Sequence, residues 1–577
     1  MNFELNLSIE ELEKRTDKDY LIRKPMLDIE AEEYKKLDEK DKEALKHLAK
    51  AAEYANIIYM KQDNELNLPF LSFLEKEIEE GNKQAELTKI LFDAQLGIIG
   101  IDSESNPVIL LKDVKELDGK AFYPSDITKT ELQNILKQML KSGENDEVSK
   151  ILNQRTIVKR KGEKLTASDY TIEFKEEFNS IANELEQAAE VSTNKDFNEY
   201  LILQAKALRE NNPKLDANAD KKWAELQDTP LEFTLSREQY ADLLTGTVIE
   251  DEELKELLEK NNITPISKDS IGIRVGIVNK QGTDNLLKVK KYLPIMAENM
   301  PLKEKYEQNI SSNKDNLQTM VDVDIVSLRG DEGSYRGGIT IAQNLPNNDK
   351  LSIATGGGRR NVYHRQVRTN NSPEAQERRK KRLNATLNPK LHKYYNPEAD
   401  HWFTIGHENV HSLGPKSGTE ALGKYKNIIE ENKADMGSLA LLDCLVKEKV
   451  YSEDEKNQIL VTFAANCFLK AKPQISQAHR VRTVMQTYFF IKEGAIIVDK
   501  DGIIDINTDK MISTARKMLT EIIEVQLSQS FERGEKYVND YFVWSKEIEK
   551  VSEKLKEIDK SLNGMITTPL ADFLVSQ

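Results

Sequence analysis

His407, Glu408 and His411 stand in a HExxH pattern inside HWFTIGHENVHSLGP, and the chemistry this permits is metal binding beside a carboxylate base. On a helix the i, i+4 spacing puts both imidazoles on one face with Glu408 next to them. Two histidines leave Zn²⁺ short of protein ligands, and a catalytic site takes a third while keeping one position open for water. Glu431, 20 residues past His411, is the candidate third ligand, at the separation expected when a second helix packs back across the first. Asp435 follows Glu431 by four, shares its helix face and could orient a histidine from outside the ligand set; Glu430, beside Glu431, is a second candidate for that outer role. One Zn²⁺ per chain is therefore expected on His407, His411 and Glu431.

A satisfied pair of core histidines would give the same spacing. Gly414-Pro415, however, ends the first helix promptly and lets the chain turn back. His401, at i−6 from His407, points away from it and reads as a packing residue near the site. His47 and His479 lie in helical stretches where a lone histidine is more often structural than catalytic.

The elements that must position these residues come from a chain of 577 residues, too long for one ordinary core. Charged residues make up 31% and hydrophobic ones 38%, the balance of a soluble, helix-rich protein. The formal net charge of −15 argues against nucleic acid as the main partner. Cys444 and Cys467 sit in apolar helical contexts and read as buried thiols without metal-ligand spacing. No run is long enough to span a membrane, and MNFELNLSIEELEKR lacks a basic region followed by an apolar one. The expected location is cytoplasmic, with a periplasmic or secreted protein whose signal peptide has been removed as the alternative.

Residues 1–30 read as an irregular lead-in. Leu45, Leu48, Ala52, Ala55 and Ile58 or Tyr59 then give the three-and-four spacing of an amphipathic helix. Helices are expected at 69–95 and 126–152, the latter capped near Ser125, Asp126 or Thr128, and at 175–210. RTIVKRKGEKLTASDYTIEF predicts a hairpin around Gly162. LEFTLSREQYADLL, SIGIRVGIVNK, MVDVDIVSLRG and GGITIAQNLPN carry the β-branched runs of one composite sheet or barrel. LSIATGGGRRNVYHRQVRTNN has three glycines before two arginines but no following Lys-Ser or Lys-Thr, so a nucleotide loop is a poor match. The run ERRKKR, Glu377 to Arg382, reads as a solvated helix face, the other reading being a lure for acidic peptides. Helices follow at 455–470 and 475–493, one or two long ones at 508–561, and then a tail.

Several of these stretches together resemble the dipeptidyl peptidase III family. HENVHSLGP with EENKAD resembles its zinc motifs, NLPNNDKLSIATGGGRRNV its Asn-x-Pro-Asn segment, QAHRVR the segment around its oxyanion-stabilising histidine, and REQYAD its Glu-x-Tyr-x-Asp amine clamp. The short HExxH form differs from the HExxGH of eukaryotic members and is similar to a bacterial branch that includes Nudix fusions, although no Nudix sequence is evident here. Residues 247–262 look inserted after the clamp.

The resemblance implies a zinc-dependent peptidase that removes dipeptides from the free N-terminus of oligopeptides, with Glu408 as base and His479 stabilising the oxyanion. Glu238 and Tyr240 would hold the α-ammonium group, and Asn344 and Asn347 the substrate backbone. A zinc endopeptidase, another exopeptidase and a non-catalytic peptide-binding protein remain alternatives, as do monomer and homodimer. The implied fold is α+β, predominantly helical, with two lobes about a cleft: a helical zinc-binding upper lobe and a mixed lower lobe with a small β-barrel. The boundaries expected are 1–290 for the lower lobe, 291–318 for the crossover, 319–368 for returning barrel strands and 369–577 for the catalytic upper lobe. Hinges are expected near 285–320 and 366–372.

Overall fold

The spacing at Leu45, Leu48, Ala52, Ala55 and Ile58 builds a helix over Glu39–Asp63, opened by Asp38, whose side chain accepts from the Asp41 amide, and all five residues are buried. The computed structural model describes residues 3–210, 212–308, 319–333, 342–345, 360–365, 373–415 and 418–577. Over these residues the protein is α+β with helices predominating. Asn347, most of the glycine-rich stretch and the expected hinge at 366–372 lie outside the described residues. No helix among them is long and apolar enough to cross a membrane.

The Glu39–Asp63 helix packs on a five-stranded sheet ordered Leu231–Glu238, Ser270–Asn279, Thr319–Gly330, Arg360–His364, Ala342–Leu345. All pairings are antiparallel except that of Thr319–Gly330 with Arg360–His364. The central strands read as continuous apolar runs because they are buried along almost their whole length. The barrel expected here is, among the described residues, a row of five strands whose end strands share no backbone pairing. Side chains bring those ends together: Gln343 Nε2 on the last strand donates to Glu238 Oε1 on the first at 3.0 Å and to Glu332 Oε1 at 2.8 Å. The 156–169 hairpin, with Gly162 at φ +65°, pairs only with itself and forms a separate two-stranded sheet.

Two of the expectations change. The lead-in holds a helix, Ile9–Thr16, and a strand, Leu21–Pro25, whose parallel partner is Asn563–Thr567 at the far end of the chain. Local periodicity cannot announce such a pairing. The last helix, Pro569–Ser576, places Leu570, Ala571 and Leu574 in the core of the sheet. Residues 508–561 form three helices, because Gln529 turns left-handed at φ +48° and Ser530 and Ser545 each cap a new start. The apparent insertion at 247–262 forms the helix Glu252–Lys260, which buries Leu254 and Leu258 and pairs Asp251 with Lys137 at 2.8 Å.

A second core is helical and runs from Leu286 to Leu555. Within it the helices Pro397–Val410 and Lys426–Ala440, here the first and second site helices, approach closely through glycine. A Cβ built on Gly406 would lie 2.3 Å from Ser438 Oγ, and one on Gly437 would lie 2.4 Å from Val410 Cγ1. A helix interior gains about 1 kcal/mol from Ala over Gly, so these two positions forgo that preference for proximity. Gly437→Val is expected to lower the unfolding free energy by about 1–3 kcal/mol through overpacking. Adding Val410→Ala should restore most of that loss in urea denaturation; no recovery in the double variant would mean that the glycine is not there for the helix contact.

Candidate metal centre

The first site helix starts where the Asn396 side chain accepts from the Glu398 amide and Pro397 takes the first position. It ends at His411, and Gly414, at φ +96°, reverses the chain before Pro415. The second site helix then crosses back and brings Glu430, Glu431 and Asp435 to the two histidines.

The three proposed ligands converge. His407 Nε2 and His411 Nε2 face each other at 3.1 Å, and the Glu431 carboxylate oxygens lie 3.6 and 3.9 Å from them. Their ligand atoms lie within 4.8 Å of one another, so the group could hold a metal ion. Bonds of about 2.0–2.1 Å in a tetrahedral site put ligand atoms roughly 3.4 Å apart, which these separations bracket.

The donor chemistry also fits. His407 Nδ1 donates to Asp435 Oδ1 at 2.7 Å, and His411 Nδ1 donates to Glu430 Oε1 at 3.0 Å. With both protons on Nδ1, both Nε2 lone pairs point at the same place, where a cation relieves their repulsion. Asp435 and Glu430 thus stand as acceptors, one beside each histidine.

Glu408 lies behind this cluster, its Oε1 3.9 Å from His407 Nε2. Its Oε2 is buried with no hydrogen-bond partner among the described residues. Burial raises its carboxyl pKa above the usual value despite His407 and His411 nearby, which favours a group that accepts a proton. Glu431 is the reverse case: burial alone would push it up, but His479, His411 and Arg482 hold it well below the carboxylate range. Asp435, buried as well, is brought down by Arg482 and His407, and Glu430 by Lys433 and His411. For His411, burial pulls the pKa down, and Glu430, Glu431 and Glu408 together raise it.

A third site helix, Ala478–Lys492, lays one stripe along the second. His479 Nδ1 is 3.1 Å from Glu431 Oε2, Arg482 Nη1 is 3.2 Å from the same oxygen and 2.9 Å from Asp435 Oδ1, and Gln486 Nε2 donates to Asp435 Oδ2 at 2.9 Å. The spacing i, i+3, i+7 matches the i, i+4 of Glu431 and Asp435. His479 remains 48% exposed at the side chain, so one edge of its ring faces outward beside the Glu431 carboxylate.

Tyr240 reaches this cluster from the sheet side, its hydroxyl donating to Glu431 Oε1 at 3.3 Å and its ring 5.6 Å from that of His479. Glu238, two residues earlier, is buried at the end of its strand and accepts from Gln343. Asn344 is placed by its backbone, opposite Asn361 in the sheet. His401 sits edge-on to Tyr363 with ring centroids 6.0 Å apart, in its expected packing role. Of the basic run, Arg382 is not solvated: it donates to the carbonyls of Ala465, in the last turn of the helix Glu453–Asn466, and of Phe468 just past it.

Sequence reasoning missed Arg482, Gln486, Lys433 and Gln526. The first two follow His479 on one helix face and were within reach of the pattern. Lys433 Nζ lies 2.8 Å from Glu430, and Gln526 comes from a fourth helix, Thr508–Ser528.

No family model matches the chain. Among curated proteins it is 22% identical over 314 residues to Nudix hydrolase 3 of Arabidopsis thaliana, a match covering 52% of this chain and 39% of that protein's length. Among solved structures it is similar to dipeptidyl peptidase III from Caldithrix abyssi, at TM-score 0.75 and 22% identity over 96% of this chain and 99% of that one. Dipeptidyl-peptidase III from Corallococcus sp. strain EGB matches at TM-score 0.79 and 22% identity, covering 99% of both chains. Around the converging His407, His411 and Glu431, this chain therefore has the fold of the dipeptidyl peptidase III structures.

Proposed function

We propose that the protein is a zinc-dependent peptidase that removes dipeptides from the free N-terminus of oligopeptides. The observation that carries this reading is the convergence of His407, His411 and Glu431 beside the unpartnered oxygen of Glu408, in a chain with the fold of two proteins named dipeptidyl peptidase III. His407 Nε2, His411 Nε2 and the Glu431 carboxylate would hold the zinc. Bound there, zinc would supply Lewis acidity and lower the pKa of water toward neutrality.

Everything else falls to the chain. Glu408, buried and with its pKa raised, takes the proton of the attacking water and passes it to the nitrogen of the leaving amine. His479, at the open edge of the cluster, donates to the oxygen on which negative charge develops. Glu238 holds the substrate's α-ammonium group, and Asn344 and Asn347 hold its backbone extended. The support for a clamp at this end is Tyr240, whose contact with Glu431 ties the end of the Glu238 strand to the ligand cluster. The 247–262 segment folds onto the helix Lys129–Lys141 and leaves that contact in place.

Glu408→Gln is expected to lose about 10²–10⁴-fold in turnover of a dipeptidyl-arylamide while retaining zinc by elemental analysis. Full activity in that variant would end the catalytic reading. N-acetylation of the substrate should abolish dipeptide release, and Glu238→Gln should raise KM for free-amine substrates roughly ten- to a hundredfold, the loss of one charge-assisted hydrogen bond. Equal cleavage of acetylated and free peptides would favour the endopeptidase instead.

A further inference from the structure

The two carboxylates that orient the histidines are each held, on their far oxygen, by a buried glutamine from a different helix. Gln486 Nε2 donates to Asp435 Oδ2 at 2.9 Å, and Gln526 Nε2 donates to Glu430 Oε2 at 2.9 Å. Both glutamines are 1% exposed. The arms are therefore alike: His407, Asp435, Gln486 on one side and His411, Glu430, Gln526 on the other.

The amide orientations are fixed by chemistry. A reversed amide would turn a carbonyl oxygen on a carboxylate, so each nitrogen must face its acid. Gln486 Nε2 is shared with Asn432 Oδ1 at 3.0 Å, and Asn432 Nδ2 in turn donates to the Tyr537 hydroxyl at 3.0 Å. Gln526 is more telling, because its Oε1 is buried with no hydrogen-bond partner among the described residues. Leaving a buried carbonyl oxygen unpaired is a stability cost that a methionine of similar length would avoid. What the glutamine supplies there is its donation to Glu430.

We infer that Gln486 and Gln526 are a matched pair of positioning residues for the metal: each pins the far oxygen of one carboxylate, so that the near oxygen faces a histidine Nδ1 proton and both imidazoles present Nε2. This rests on the zinc reading above. It extends the control of ligand orientation one step beyond the carboxylates, to residues that touch neither metal nor substrate.

The test uses the full-length protein as wild type, Gln486→Met, Gln526→Met and the double variant, with Gln204→Met as control. Gln204 is also 1% exposed but lies on the helix Lys195–Arg209, whose Leu201, Ala205 and Leu208 belong to the core of the sheet. Zinc affinity is read by chelator competition, folding by circular dichroism, and the two imidazole Nδ1 protons by downfield proton NMR of the zinc-loaded protein. Each single site variant is expected to bind zinc about tenfold more weakly and the double variant about a hundredfold, with Gln204→Met unchanged. Gln486→Met should shift one downfield resonance and Gln526→Met the other, a signature that survives even where stability falls. Wild-type affinity in both single variants, an equal loss in Gln204→Met, or both resonances unmoved would overturn the inference while leaving the zinc reading intact. Absence of zinc binding in the wild type would overturn both.

Discussion

Four carboxyl groups, those of Glu408, Glu430, Glu431 and Asp435, are brought together around two histidines in the interior of the helical core. Gathering like charges away from water is among the most expensive arrangements a fold can make, several kcal/mol per ion when unpaired. Two cations answer them directly: Lys433 on Glu430, and Arg482 across Glu431 and Asp435. The direction of the perturbed pKa values follows from these neighbours. Glu430, Glu431 and Asp435, each next to a cation or imidazole, are held ionised, whereas Glu408, more remote from the cations, is pushed toward the neutral form by burial.

That balance depends on how tightly the helices pack. The contact through Gly406 and Gly437 flanks the functional residues, one next to His407 and the other two past Asp435. A side chain at either would separate the helices that must hold His407 Nδ1 at 2.7 Å from Asp435. The third and fourth site helices then close the cluster from further sides with Arg482, Gln486 and Gln526. Interiors packed at this density tolerate little displacement, so the geometry of the cluster is inherited from the core.

This explains what could be read from the chain and what could not. His407, Glu408 and His411 are one turn apart, and Asp435 is one turn from Glu431; those relations are properties of a single helix and were legible from spacing. The pairing of Glu430 with His411 needs two helices; Gln486 shares a helix face with His479, which spacing shows, but its contact with Asp435, like that of Gln526 with Glu430, needs a second helix and lay in no local pattern. The strands of the sheet were legible as β-branched runs, but their order was not, because Arg360–His364 enters between Thr319–Gly330 and Ala342–Leu345. The strand Leu21–Pro25 was missed for the same reason, since its partner lies at the other end of the chain. Arg382 was read as solvated because charge alone marks the run; its contacts with the carbonyls of Ala465 and Phe468 come from a distant helix end.

The site is nevertheless not a property of the helical core alone. Tyr240 belongs to the segment that leaves the sheet after Glu238, yet its hydroxyl donates to Glu431 and its ring packs beside His479. A second link is made by Glu250, which receives Lys129 from the sheet side and Lys424, 3.0 Å away, from the turn that leads into the second site helix. A third joins Arg480, the neighbour of His479, to the carbonyl of Ser103 at 3.0 Å. Each link reaches the helical core within a few residues of a group in the cluster, so movement of the sheet relative to the helices would be felt first at Glu431 and His479. Of these links only that of Glu250 is made of ion pairs, and pairs exposed to this degree contribute about 0–1 kcal/mol each. The links at Tyr240 and Arg480 are hydrogen bonds from part-buried side chains, and the first of them ends on Glu431 itself.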